Sequence, residues 1–289
     1  VVKTDILQFI LMFLGFFLLI GFSWNEFGSP AVLINSIPES HLDPLGGNTA
    51  QYVLVWFFIA AWTFVDPGFY QRCAAAKSPE TAKKGLLISI GFWAVFDCLT
   101  VLSGLYAVAL IQTDQPLLSF PLLGTHILPI GIFGLFITGI LATIMSTIDS
   151  LSLISAITFG RDILWRIQRP QTNSNPVPLV RKGLVIISFL SLFLAFAVPS
   201  VVGLFYIIGS ILIPGLILPF VITLWNEKIS LSERLASLWI VTPVGVSLGW
   251  FGISQLSGQP FMGIEPFYPG MVISFLFLLF IIIRTNNGH

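Results

Sequence analysis

Four hydroxyls fall in one helical stripe near the middle of the chain: Thr143, Ser146, Thr147 and Ser150 stand at i, i+3, i+4 and i+7, with Asp149 at the edge of the stripe. Hydroxyl and carbonyl oxygens are what a small hard cation needs once its water is stripped, and a nearby carboxylate offsets the charge. Ser and Thr at close spacing also let helices approach and hydrogen-bond across an interface. Asp149 favours the cation reading, because packing does not explain an acid roughly 18 Å from Arg161 along a helix that rises about 1.5 Å per residue.

Two further places combine polarity with apolar surroundings. Trp62-Thr63-Phe64-Val65-Asp66-Pro67-Gly68 interrupts an apolar run. Pro67 cannot donate to the helix ladder and Gly68 weakens the turn beside it, so a break near Asp66 is expected, with freed backbone groups that need a protein or water partner. A kink or helix end with Asp66 pairing Arg72 would explain the same residues. Trp62, deeper in the run, is the better solute-facing candidate. Asp97 sits near the centre of another apolar run, as a cation relay or as a partner for another polar group. The sequence contains no G-x-S-x-G, H-E-x-x-H or Walker loop, and His41, His126 and His289 are too scattered for a metal site, so no enzyme is expected. Cys73 and Cys98 read as small buried apolar residues.

The elements that must position these groups follow from composition. Of 289 residues, 56% are hydrophobic and 9% charged, against about 25% charged in a soluble domain. Mean hydropathy is +0.95. The 13 basic and 13 acidic residues cancel and recommend no nucleic-acid partner. Crossing a bilayer core takes about 20 apolar residues, and the apolar runs give eight spans: 6–22, 52–70, 85–110, 128–155, 183–197, 201–225, 236–254 and 268–283. Pro199 alone separates the fifth from the sixth.

Charge tests that count, since Lys and Arg near span ends resist translocation. The connections after spans two, four and six hold Arg72, Lys77, Lys83 and Lys84, then Arg161, Arg166, Arg169, Arg181 and Lys182, then Lys228 and Arg234. The connections after spans one, three and seven hold only acids, such as Glu26, Asp114 and Glu265. With Lys3 and Arg284 at the ends, eight spans put all 13 basic residues on one side, and both chain ends are expected to be cytoplasmic. Ser78-Pro79-Glu80 predicts a helix start, residues 23–47 a long loop or short surface helix, and Pro176-Val177-Pro178 a flexible inner loop. Val1 stands where an initiator Met is expected and no signal peptide is visible, so a piece of a longer protein is expected.

Three runs carry a resemblance. Thr4-Asp5-Ile6-Leu7-Gln8, then Asp66-Pro67-Gly68-Phe69-Tyr70-Gln71-Arg72 continuing to Ser78, and Met145-Ser146-Thr147-Ile148-Asp149-Ser150 through Arg161-Asp162-Ile163 resemble the sodium:solute symporter family in order and spacing, from Val1 to about Trp225. The resemblance implies an all-α bundle of two five-helix inverted repeats with flanking helices, read here as one transmembrane domain over 1–289. In it, 1–22 is the last helix of repeat one, 48–225 is repeat two and 226–289 is peripheral. It implies a sodium site at the hydroxyls of Ser146 and Thr147 and the carbonyl of Thr143, completed by a first helix outside this chain. Asp149 falls where some relatives carry a residue associated with a second sodium. Trp62, Thr63 and Tyr206 are the implied solute contacts. The expected activity is sodium-coupled import of a small polar organic solute by alternating access, in the cell membrane, with no cofactor beyond the coupling ion. Two rivals remain: a proton-coupled or uncoupled transporter using Asp149 or Asp97, and a symporter-like sensor module.

Overall fold

In a bilayer core, backbone groups can be satisfied only within the segment that carries them or by neighbouring protein, and the apolar runs fold accordingly. The computed structural model describes residues 2–111, 115–168, 175–198, 200–225 and 231–286, among which there are helices and no strand. Asp114, Arg169, Pro199, Lys228 and His289, which the sequence argument used, lie outside the described residues. Among the described residues, eight helices are long and apolar enough to cross a membrane: Lys3–Phe27, Ala50–Ala74, Pro79–Leu110, Ile130–Gln168, Val177–Ala197, Val201–Leu224, Glu233–Ser257 and Phe267–Arg284. Large side chains such as Trp93, Phe189 and Phe193 stand exposed on them, which a bilayer tolerates and water does not.

The helices outrun the apolar runs because polar caps lie beyond them. Ser78 accepts from the Thr81 N–H, with Pro79 in the first turn, and Ser232 accepts from the Leu235 N–H. The Pro176-Val177-Pro178 loop is corrected: a helix begins at Val177, where the Asn175 side chain accepts the Val177 N–H at 3.0 Å. Pro178 is tolerated there because first-turn N–H groups have no helical partner. Cys98 is exposed rather than buried, next to Asp97 on the helix Pro79–Leu110, and Cys73 is only half-buried.

The chain forms two compact units, 1–46 with 71–191, and 47–70 with 192–289. In the first, α1 (Val2–Phe27) packs on α5 (Pro79–Leu110) and α7 (Ile130–Ile157). Phe9 meets Phe92, and Phe16 meets Phe96, edge to face, so α1 and α5 run parallel. Phe16 also meets Phe136, while Gly139 lies against the Leu11 carbonyl, so α7 runs antiparallel to α1. A Cβ at Gly139 would stand 2.7 Å from that carbonyl oxygen, and the missing side chain is what lets the two backbones meet.

Residues 23–47 add α2 (Pro30–Ile34) and a 3₁₀ turn at Glu39–His41, and the Tyr106 hydroxyl donates to the Gly28 carbonyl at 2.8 Å. An element absent from the sequence reading, α6 (Ser119–Ile127), buries Leu123 and sets Gly124 against Phe136. At its far end α7 widens into a π-helix at Thr158–Leu164 before α8 (Trp165–Gln168). There a Cβ on Gly160 would stand 2.6 Å from the Val180 Cα of α9 (Val177–Ala197).

In the second unit, α3 (Ala50–Ile59) packs on α10 (Val201–Trp225), which also packs on α11 (Glu233–Ser257) and α12 (Phe267–Asn286), and Val55, Ile59, Ile213 and Phe267 form a buried apolar cluster between α3, α10 and the start of α12. The expected break is present and starts earlier than Asp66: α3 gives way to a 3₁₀ turn over Ala60–Phe64, and α4 (Pro67–Ala74) begins after Asp66. The Asp66 carboxylate accepts the Gly68 N–H at 2.6 Å, capping α4 where Pro67 has no N–H to offer.

Gly139→Leu, which must push the Leu11 carbonyl away, is expected to destabilise the full-length protein by about 1–3 kcal/mol. Gly245→Ala, where a Cβ meets nothing within 4 Å, is expected to leave it unchanged. Thermal unfolding in detergent checks the pair.

Candidate functional site

A cavity of about 510 Å³ opens in the first unit between α1, α5 and α7. It takes Thr143, Ser146 and Thr147 from α7, Asp5 and Gln8 from α1, Asp97 from α5 and Arg72 from α4. Phe9, Phe13, Phe92, Trp93 and Phe96 give it an aromatic wall. Three of the four predicted cation residues therefore share one space. Asp149 does not line it and is exposed.

The hydroxyls are arranged with their hydrogens spent on protein acceptors. Thr143 donates to the Gly139 carbonyl at 2.9 Å and Thr147 to the Thr143 carbonyl at 3.1 Å. Ser146 donates to the Asp5 carboxylate at 3.3 Å across the α1–α7 seam. A hydroxyl that donates away keeps lone pairs for a cation, so this tier offers oxygen acceptors rather than competing protons. The Thr143 carbonyl already accepts the Thr147 hydroxyl. It joins a coordination shell fully only if that hydroxyl swings aside.

Asp5 and Gln8 were quoted for the resemblance and not as site residues. Gln8 lies inside the apolar first span, where the search for polar groups at membrane depth that found Asp97 would have found it, whereas Asp5 stands one residue before that span, three residues from Gln8 and so on the same helix face. Gln8 is 9% exposed and its Oε1 has no hydrogen-bond partner, leaving an unused acceptor beside the hydroxyl tier. Arg72 donates to the Ser150 hydroxyl at 3.4 Å, which fixes its guanidinium on the rim. Asp97 is exposed toward the cavity, and Thr100 bonds back to the Phe96 and Asp97 carbonyls.

In the second unit, Trp62 and Tyr206 pack against the same apolar cluster of Val55, Ile59, Ile213 and Phe267. Trp62 belongs to the 3₁₀ turn, and its carbonyl accepts the Val65 N–H at 2.9 Å. Thr63 is exposed on that turn. Tyr206 stacks on Tyr52 with centroids 4.8 Å apart and tilts against Trp56 at 5.6 Å.

A profile of the sodium:solute symporter family matches residues 1–240. Sodium/glucose cotransporter 4 of Danio rerio is 24% identical, over 65% of this chain and 35% of that protein. Sodium/glucose cotransporter 1 of Ovis aries is also 24% identical, over 58% of this chain and 32% of that protein. The chain thus spans about a third of the length of these relatives.

With Cys73 and Cys98 replaced by Ser, a cysteine at Ser146 or Thr147 of the full-length protein is expected to react with an aqueous methanethiosulfonate. One at Ala142, which is 5% exposed, is expected to stay unlabelled. Equal labelling at all three positions would contradict the cavity's polar lining.

Proposed function

The chain belongs to the sodium:solute symporter family, and from that premise we propose that the full-length protein is a sodium-coupled symporter importing a small polar organic solute by alternating access. The family and both relatives are transporters, not enzymes. The observation that carries the reading is the convergence of Thr143, Ser146, Thr147 and Asp5 on one cavity beside a buried acceptor on Gln8. An all-oxygen set with one carboxylate suits a hard monovalent cation: it replaces the hydration shell and neutralises the charge without a soft ligand.

Ser146 and Thr147 are the primary ligands in this reading, and Thr143 contributes its carbonyl. Asp5 supplies the counter-charge across the α1–α7 seam, so that cation occupancy strengthens the attraction between the two helices. Asp149, exposed on the same helix, stands apart from this set, at the position that the family resemblance associates with a second sodium. Trp62, Thr63 and Tyr206 contact the solute, with the 3₁₀ break after Ile59 supplying backbone groups not committed to an α-ladder. A helix from outside residues 1–289 completes the cation shell. Both ends of this chain are assigned to the cytoplasm by the distribution of Lys and Arg.

One sodium suffices for useful uptake. The membrane potential contributes about 2.3 kcal/mol per charge per 100 mV, roughly a 50-fold accumulation before the concentration gradient is counted. A proton-coupled second reading draws on Asp97, a carboxylate exposed to the same cavity. It requires uptake indifferent to sodium and abolished by Asp97→Asn.

Replacing Ser146 and Thr147 by Ala in proteoliposomes is expected to raise the sodium concentration for half-maximal uptake by roughly tenfold or more, the loss of one or two coordinating oxygens at about 1.4 kcal/mol per factor of ten. Unchanged sodium dependence would refute the assignment.

A further inference from the structure

We propose that the junction where the π-helical turn and α8 meet the start of α9 holds the phosphate headgroup of an anionic phospholipid, gripped by Arg161, Arg166, Arg181 and Lys182. Two glycines bring the backbones into contact there. A Cβ on Gly160 would stand 2.6 Å from the Val180 Cα, and one on Gly183 would stand 2.7 Å from the Ala156 carbonyl oxygen. Arg161 directly follows Gly160 and Arg181 directly follows Val180. With successive Cα atoms about 3.8 Å apart, the Cα atoms of the two arginines lie within about 12 Å of each other, a span that two long side chains close on one phosphate group.

The π-helical turn assembles the other half of the cluster. The Trp165 N–H bonds to the Gly160 carbonyl, five residues back, so residue i+5 stands over residue i through this stretch and Arg166 comes over Arg161. An uninterrupted α-helix, at 3.6 residues per turn, would set the two about 140° apart. Wide turns of this kind are rare and concentrate at functional sites. What this one achieves is two guanidiniums on one face beside the glycine contact.

All four basic residues are exposed, and none takes an ion-pair or hydrogen-bond partner among the described residues. The described part of 151–191 holds one carboxylate, Asp162, which is adjacent to Arg161 and so points to another side of the helix. Four cations against one carboxylate at the end of a membrane span attract the phosphates of an anionic leaflet, and a guanidinium fork binds phosphate with paired hydrogen bonds. The surface that continues from the cluster favours a lipid over a soluble phosphate. Val185 and Phe189, four and eight residues after Arg181, carry the same face of α9 into the span, and both are exposed. A headgroup held at Arg181 lays its acyl chains along that apolar stripe.

The test is thermal unfolding of the purified full-length protein in detergent, titrated with phosphatidylglycerol, phosphatidylcholine or inorganic phosphate. Phosphatidylglycerol is expected to raise the melting temperature, whereas the other two do not. Replacing Arg161 and Arg166 together by Gln is expected to raise the phosphatidylglycerol concentration for half the shift by roughly tenfold or more, and Arg181→Gln moves it the same way should that pair fail to fold. Lys83→Gln with Lys84→Gln removes the same charge from the start of α5 and is expected to leave the response unchanged. Equal weakening by the arginine and lysine pairs overturns the proposal, by reducing the effect to diffuse attraction. An arginine-insensitive response, or equal stabilisation by phosphatidylcholine, overturns it as well, and stabilisation by inorganic phosphate reassigns the cluster to a soluble anion.

Discussion

Hydrocarbon cannot hydrogen-bond, and that constraint decides which features of this chain are structural and which are functional. Every hydroxyl in a membrane-spanning helix has an inexpensive solution, which is to donate back to the carbonyl one turn earlier. Ser23, Ser103 and Thr138 all take it. A carboxylate has no such solution, because it has no hydrogen to give a preceding carbonyl, and a carboxamide that donates in this way still holds an oxygen with nothing to accept. They must meet another helix, a cavity or an ion. Asp5, Gln8 and Asp97 are positions where this residual demand collects, and all three line the cavity of the first unit.

The seam between α1 and α7 shows how packing serves that demand. Gly139 brings the backbones together at one level, and Ser146 and Asp5 meet two helical turns away along α7, on the same side of the seam. Close approach without a side chain and a hydrogen bond across the gap reinforce each other, since the first sets the separation at which the second can form. The aromatic contacts of Phe9, Phe13 and Phe16 with α5 fix the other wall. The cavity is what remains between two well-packed contacts, with polar groups concentrated on the faces that cannot close.

The eight spans were legible in the sequence because a bilayer imposes length and apolarity on each one locally. The hydroxyl stripe was legible for a similar reason, since helical periodicity alone puts Thr143, Ser146 and Thr147 on one face. Partnership was not. Nothing in the local sequence says that Asp5, rather than Asp149, stands opposite Ser146, because that depends on how α1 registers against α7. The helix Ser119–Ile127 was missed because it is too short to span and merges with the apolar run that follows. The loop read into Pro176-Val177-Pro178 failed because proline in a first turn looks the same in sequence as proline in a loop. Asp66 fell between its two readings: it caps the helix that Pro67 starts, and the chain leaves α-geometry already at Ala60.

The π-helical turn at Thr158–Leu164 changes the angular bookkeeping of the fourth span. A wide turn accommodates an additional residue without lengthening the rod in proportion, so side chains beyond it are rotated relative to where an unbroken α-helix would carry them. The hydroxyl face is therefore set by contacts with α1, and the face bearing Arg161 and Arg166 is set separately by the glycine contact with α9. One continuous rod thus carries two surfaces whose relative phase is set by the wide turn between them.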